Sequence, residues 1–159
     1  MRGIIKLENI LTTEERLDLL KKAEHYVFKW EDRPGLQSHP DMHKKSEFNI
    51  IHQKIINRLH EETGKLLCID RSWILKTTGK SEESIWHTHG RPFSLVYYIK
   101  IPSSYEKSNG TDFEHGFEKV SENGLIFFDG SLKHKPPEYS FSFARYTMGM
   151  DLTILNKYP

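Results

Sequence analysis

His87 and His89 lie in the tetrapeptide Trp86-His-Thr-His, within a run (Ser84–His89) that reads as a β-strand. Side chains alternate faces along a strand, so both imidazoles point the same way, as two ligands of one metal ion would. A third histidine, His134, follows the glycine-bounded apolar strand Gly124-Leu-Ile-Phe-Phe-Asp-Gly, and Pro136 and Pro137 stiffen the loop beyond it. Three such imidazoles would make a nitrogen donor set for a divalent transition metal. Each also has a plainer reading. A His-x-His pair is equally the wet side of a half-buried strand, and His134 between two lysines is equally an exposed loop residue. His39, His43, His52, His60 and His115 read in that plainer way.

Arg145 adds a different chemistry. In Phe141-Ser-Phe-Ala-Arg-Tyr-Thr-Met-Gly, alternation places Phe141, Phe143, Arg145, Thr147 and Gly149 on one face. An arginine that shares a face with two phenylalanines is at least partly buried. A buried guanidinium deprived of its anion costs about 3–5 kcal/mol, and a carboxylate matches its fork best. That carboxylate is either a structural partner (Asp112, Glu114 or Asp151) or part of a bound cosubstrate.

The elements that must position these residues follow from periodicity. Ile4–Leu7 reads as a short strand. Thr12 with Glu15 is a capping box opening a helix whose apolar stripe is Leu17, Leu19, Leu20, Ala23 and Val27. Residues 31–45 are polar and turn-rich and read as a long loop, often a lid or substrate-binding segment. A second helix is expected over Glu47–Thr63, with Ile51, Ile55, Ile56 and Leu59 on one side and Gly64 as its stop. From there the pattern turns to strands: Leu66–Thr77, Ser84–His89, Phe93–Ile101, Asp112–Phe117, Gly124–Phe128 and Ser140–Leu155, with a polar loop at 103–111. Two helices followed by a run of short strands predict a mainly β fold, a sandwich or jelly roll with a helical layer against one sheet.

At 159 residues the chain suits one domain, with 1–65 as helical support and 66–155 as the jelly-roll core. The 23 basic and 22 acidic residues nearly cancel, so no field recruits nucleic acid or an anionic membrane. Cys68, between Leu67 and Ile69, has no second cysteine to pair with and reads as a buried small hydrophobe. With no apolar run long enough for a signal peptide or a membrane span, the expectation is a soluble cytoplasmic protein, in a reducing compartment.

Taken together, His87-x-His89, Ser94-Leu-Val-Tyr-Tyr-Ile-Lys-Ile-Pro, the Gly110 turn, Gly124-Leu-Ile-Phe-Phe, His134 and Arg145 resemble the Fe(II)/2-oxoglutarate-dependent dioxygenases. More narrowly, they are similar to small oxygenases of phages and bacteria that carry His-x-His in place of His-x-Asp/Glu. The resemblance covers roughly residues 70–155 and implies a double-stranded β-helix. It implies that His87 and His134 bind iron, with His89 where the family's carboxylate stands. It also implies that Arg145 holds the distal carboxylate of 2-oxoglutarate, with Tyr98 and Thr147 beside it.

The departure at His89 leaves two arrangements open. His89 is a ligand in an all-nitrogen site that could also take zinc or nickel, or Asp112 or Asp129 completes the triad. The resemblance further implies that O2 and 2-oxoglutarate are consumed to give succinate and CO2, with hydroxylation of a small-molecule or peptidyl substrate as the default outcome. One rival is a three-histidine cupin-type dioxygenase with Arg145 on the substrate's own carboxylate. Cupins usually carry a Glu four residues past the second histidine, where Phe93 stands here. The other rival is a non-catalytic metal-binding jelly roll.

Overall fold

A strand buried on both faces needs neighbours at both edges and a layer on each side, and the C-terminal strand has all of these. In the computed structural model, which describes residues 3–32, 35–80, 85–102, 109–138 and 140–155, that strand spans Ser140–Ile154. The chain runs β1 (Ile4–Leu7), α1 (Thr13–Ala23), β2 (Phe28–Lys29), β3 (Leu36–Gln37), α2 (Asn49–Thr63), β4 (Leu67–Lys80), β5 (Phe93–Lys100), β6 (Gly110–Phe113), β7 (Gly116–Lys119), β8 (Leu125–Asp129), β9 (His134–Lys135) and β10 (Ser140–Ile154). Among the described residues these strands form a larger sheet, ordered β1-β8-β5-β10-β4-β3-β2, and a smaller one, β7-β6-β9.

All named strand pairs are antiparallel. Together they build the jelly roll that the strand pattern predicts, with the helices against the outer face of the larger sheet. The segment before residue 65 also contributes β1, β2 and β3 to that sheet.

Period-two alternation sorts the sheet residues between two cores. Leu95, Tyr97 and Ile99 of β5, Leu125 and Phe127 of β8, and Met148 and Met150 of β10 pack with Leu19, Ala23, Ile51, Ile55 and Leu59 of the helices. Tyr98, Ile126 and Phe128 turn the other way and meet Phe113 of β6 and Val120, which follows β7. Each buried side chain of this size stabilises the fold by roughly 1.5–3 kcal/mol. The remaining inner-face positions of β4 and β10 are left for polar groups, and the candidate site is built there.

The helix signals hold. The Thr12 amide donates to Glu15 Oε1 at 2.9 Å and the Glu15 amide to Thr12 Oγ1 at 3.1 Å, so the capping box is closed. Several expectations fail for local reasons. Leu17 is on the solvent side of α1, 52% exposed. Cys68 is exposed, because Leu67 takes the inward position on β4. His52 is buried, not exposed: its Nδ1–H donates to the Phe48 carbonyl at 2.7 Å, and its Nε2 meets Ser72 Oγ at 2.7 Å.

The stretch expected as one strand over Asp112–Phe117 is a hairpin, β6 and β7. Residues 31–45 are not a bare loop, since β3 pairs with β4 and Met42 and Ser38 are buried. Residue 84, the start of the expected Ser84–His89 strand, and residues 103–108, most of the expected polar loop, lie outside the described residues. No helix among the described residues is long and apolar enough to cross a membrane.

Candidate metal centre

The expected Ser84–His89 strand is a single bridge where it is described. The His87 amide donates to the His134 carbonyl at 3.1 Å, and the His134 amide returns a bond to the His87 carbonyl at 3.0 Å. The His89 amide donates to the Gly130 carbonyl at 3.0 Å, and the Gly130 amide to the Pro92 carbonyl at 2.9 Å. Gly130 makes this crossing possible, since a Cβ there would stand 1.9 Å from the Arg91 carbonyl oxygen. Four backbone bonds thus lay the His-x-His segment across the β8–β9 connection, and His134 enters the same space from β9.

The three rings share one orientation logic. Nδ1 of His87 faces the Ile85 carbonyl at 2.9 Å, and Nδ1 of His134 faces the Leu132 carbonyl at 2.9 Å. Nδ1 of His89 faces Asp151 Oδ1 at 2.8 Å. Carbonyls and an ionised carboxylate only accept, so each Nδ1 carries the hydrogen and each Nε2 presents a lone pair. One ligand nitrogen from each of the three rings lies within 4.8 Å of the others, and the Nε2 atoms of His89 and His134 are 3.0 Å apart. Converging lone pairs at that spacing are repulsive until a cation lies between them.

Two of the rings are also held neutral. Burial lowers the pKa of His134 from 6.5 to about 4, and its carbonyl partner only partly opposes this. Burial of the His87 ring lowers that pKa too, although the residue as a whole is exposed. Neutral imidazoles are what metal ligation requires. The donor set therefore fits a divalent transition-metal ion. Two nitrogens each about 2.1 Å from a metal stand about 3.0 Å apart at a right angle and about 3.4 Å apart in a tetrahedron. The His89–His134 separation of 3.0 Å matches the right angle between two neighbouring ligands.

Arg145 is 3% exposed and lies on β10 opposite Thr77 of β4. A cavity of about 90 Å³ is lined at once by the three histidines and by Arg145, Thr147, Tyr98 and Thr111, with Leu75, Val96 and Phe128 as apolar wall. The Tyr98 hydroxyl hydrogen-bonds Thr111 Oγ1, and burial pushes its phenol up to about 12, against the pull of the Arg145 charge. Phe143, expected beside Arg145, is 56% exposed, because the β10–β4 register shifts between Phe141 and Arg145.

On the other side of the histidine pair lies an open cleft of about 430 Å³, bounded by Gln37, Pro40, Arg71, Trp73, His87, His89 and Asp151. Gln37 and Pro40 belong to the 31–45 segment that the sequence marked as a substrate-binding candidate.

Asp151 was read from the sequence only as an ion-pair partner for Arg145. It accepts instead from His89, from Ser94 Oγ at 3.2 Å, and from Arg71, whose Nε and second guanidinium nitrogen stand 2.8 and 2.6 Å from Oδ2. Burial opposes its ionisation, but His89 and Arg71 outweigh that and hold the carboxyl below its ordinary value. The signal for it was present: Asp151 continues the alternation Arg145, Thr147, Gly149. Asp129 and Asp112 do not join the histidines in a metal-capable group among the described residues. Asp129 accepts from the Ser131 amide and hydroxyl.

Trp73, opposite Gly149 in the β4–β10 pairing, stacks on His89 with centroids 5.8 Å apart and planes 17° apart.

No family model matches the sequence, and no curated protein matches it. Solved structures match it by fold. HygX from Streptomyces hygroscopicus, with nickel and 2-oxoglutarate bound, aligns with a TM-score of 0.73 at 9% identity, over 94% of this chain and 82% of that one. The viral collagen prolyl hydroxylase vCPH from Paramecium Bursaria Chlorella virus-1 aligns at 0.71 and 16% identity, over 98% and 91% of the two chains. SnoN, a non-heme alpha-ketoglutarate-dependent epimerase from nogalamycin biosynthesis, aligns at 0.71 and 11% identity, over 94% and 77%. At these identities the likeness establishes the fold.

Proposed function

We propose that the protein is an Fe(II)/2-oxoglutarate-dependent dioxygenase that hydroxylates a small-molecule or peptidyl substrate. The observation that carries this reading is the shared cavity: three Nε2 lone pairs and a buried guanidinium line one small space. A metal at the lone pairs and a carboxylate at Arg145 are the two ends that 2-oxoglutarate would join. The fold neighbours lend support, since HygX was solved with nickel and 2-oxoglutarate and also with iron, and vCPH with 2-oxoglutarate.

In this reading His87, His89 and His134 hold the metal through Nε2, with His89 in the carboxylate's place. Arg145 binds the distal carboxylate of 2-oxoglutarate through its planar fork, and Tyr98 and Thr147 line the same pocket. Ferrous iron, 2-oxoglutarate and O2 together would supply an oxidant able to replace C–H by C–OH, releasing succinate and CO2. The chain's own residues orient the cosubstrate, keep the His87 and His134 imidazoles neutral by burial and screen the cavity with Leu75, Val96 and Phe128. Substrate would enter by the open cleft beside His87 and His89, where Gln37, Arg71 and Trp73 are available for contact.

The reaction is tested by succinate release on incubation with Fe(II), 2-oxoglutarate and O2, first without substrate and then against a substrate panel under ¹⁸O₂. Succinate formation with ¹⁸O in a product alcohol is expected. Succinate without oxygen transfer to a product would fit epimerisation, the activity that SnoN's name carries. Oxygen uptake that ignores 2-oxoglutarate would contradict the reading.

A further inference from the structure

A set of three imidazoles brings no negative charge to a dication, whereas the His-x-Asp/Glu arrangement brings one. The chain nevertheless buries a carboxylate next to one ring of the set. Asp151 is 0% exposed, and its Oδ1 lies 2.8 Å from Nδ1 of His89. The other two rings are treated differently, for His87 and His134 present Nδ1–H to the neutral carbonyls of Ile85 and Leu132.

Asp151 is itself fixed in orientation. Arg71 grips Oδ2, Ser94 Oγ donates to Oδ1, and strand β10 sets the backbone. The Arg71 side chain is 46% exposed, so water screens its charge, while that of Asp151 faces the protein interior. A buried carboxylate is costly to keep, and this one sits behind the single histidine that replaces an acidic ligand.

We propose that Asp151 is the carboxylate of the centre acting at one remove: it does not touch the metal, and through the His89 Nδ1–H it lends its charge to the Nε2 lone pair. It is a positioning residue. It fixes the His89 tautomer and ring plane and makes this imidazole a stronger donor than its two companions. The inference rests on the reading of the three histidines as a metal centre.

Co(II), followed by its ligand-field absorption in the full-length chain, tests both readings separately. Wild type is expected to bind one Co(II) per chain. Asp151→Asn should weaken binding by roughly 10–100-fold and shift the bands. In a His89→Ala background the same substitution should change affinity by less than about threefold, because the route through the ring is gone. A variant that binds Co(II) with unchanged affinity and bands overturns the inference and leaves the metal centre standing. So does a loss of equal size in both backgrounds, which would make Asp151 a structural residue only. A wild type that takes up no Co(II) overturns both.

A second measurement needs no variant. In Zn(II)-loaded wild type, ¹H–¹⁵N spectra should show one imidazole N–H, that of His89, well downfield of the other two. Three alike would contradict the proposal.

Discussion

The Nε2 atoms of His89 and His134 face each other across 3.0 Å, while both Nδ1 atoms are committed to acceptors behind them. Without a cation this is a strained pair, and with one it is a right-angle pair of ligands. Metal should therefore stabilise the fold by mass action, by about 2.7 kcal/mol at 100 times the dissociation constant. Thermal melts with and without Ni(II) should show that gain in wild type and lose it in His134→Ala. The affinity loss should exceed the roughly 10–100-fold that follows removal of a supporting hydrogen bond.

Gly149 is a second pressure point. A Cβ there would stand 2.5 Å from two ring carbons of Trp73, and Trp73 in turn lies flat against His89. Gly149→Ala should cost about 1–3 kcal/mol in chemical denaturation by forcing the indole to move, and it should weaken metal binding. Shortening the obstacle should relieve the clash, so Gly149→Ala should cost less in a Trp73→Leu background. Equal costs in both backgrounds would show that the indole is not what the methyl group meets.

Arg145 should govern cosubstrate and not metal. Arg145→Lys keeps the charge but loses the fork, and a lost charge-assisted hydrogen bond is worth about 1.5–3 kcal/mol. Calorimetric titration of 2-oxoglutarate into Ni(II)-loaded protein should accordingly show affinity reduced by roughly 10–100-fold. Arg145→Ala should lose more. Co(II) affinity measured in parallel should stay close to wild type in both variants.

Acid should destabilise the metal-free protein before ordinary carboxylates titrate. Burial lowers both His52 and His134 from 6.5 to about 4. Folding therefore favours their neutral forms, and between these values the unfolded chain binds more protons. Stability is fully present above about pH 6.5 and falls as pH drops towards 4, by roughly 1.4 kcal/mol per pH unit for each proton taken up. Urea midpoints between pH 7 and 4.5 should follow that slope. His52→Asn should remove about one proton's worth of it, because burial of that ring is what lowers its pKa.

Much of this was legible in the chain because strand periodicity is a local signal. It placed Arg145 and Thr147 on one inward face, while Tyr98 came only from the family resemblance. The structure brings His87, His89 and His134 together as the sequence order anticipated. The route differs, since two backbone bonds to His134 do the work expected of a strand.

What escaped was long-range. Asp151 reaches His89 and Arg71 through pairing between distant strands, and nothing near it in sequence announces either partner. His52 is satisfied by Ser72, from β4, a partner that its own helix does not announce. Two-residue strands such as β2 and β3 are too short to carry a period at all. The register shift before Arg145 turned Phe143 outward, a break that alternation alone does not reveal.

The central claim is that one cavity holds a metal at three histidines and the far carboxylate of 2-oxoglutarate at Arg145. Its most direct test is anaerobic addition of Fe(II) and then 2-oxoglutarate to the apo-protein, recorded in the visible. The account predicts a weak charge-transfer band that appears only when both are present, saturates at one equivalent and weakens in Arg145→Ala at the same cosubstrate concentration. Iron that binds but gives no band at saturating 2-oxoglutarate would contradict it.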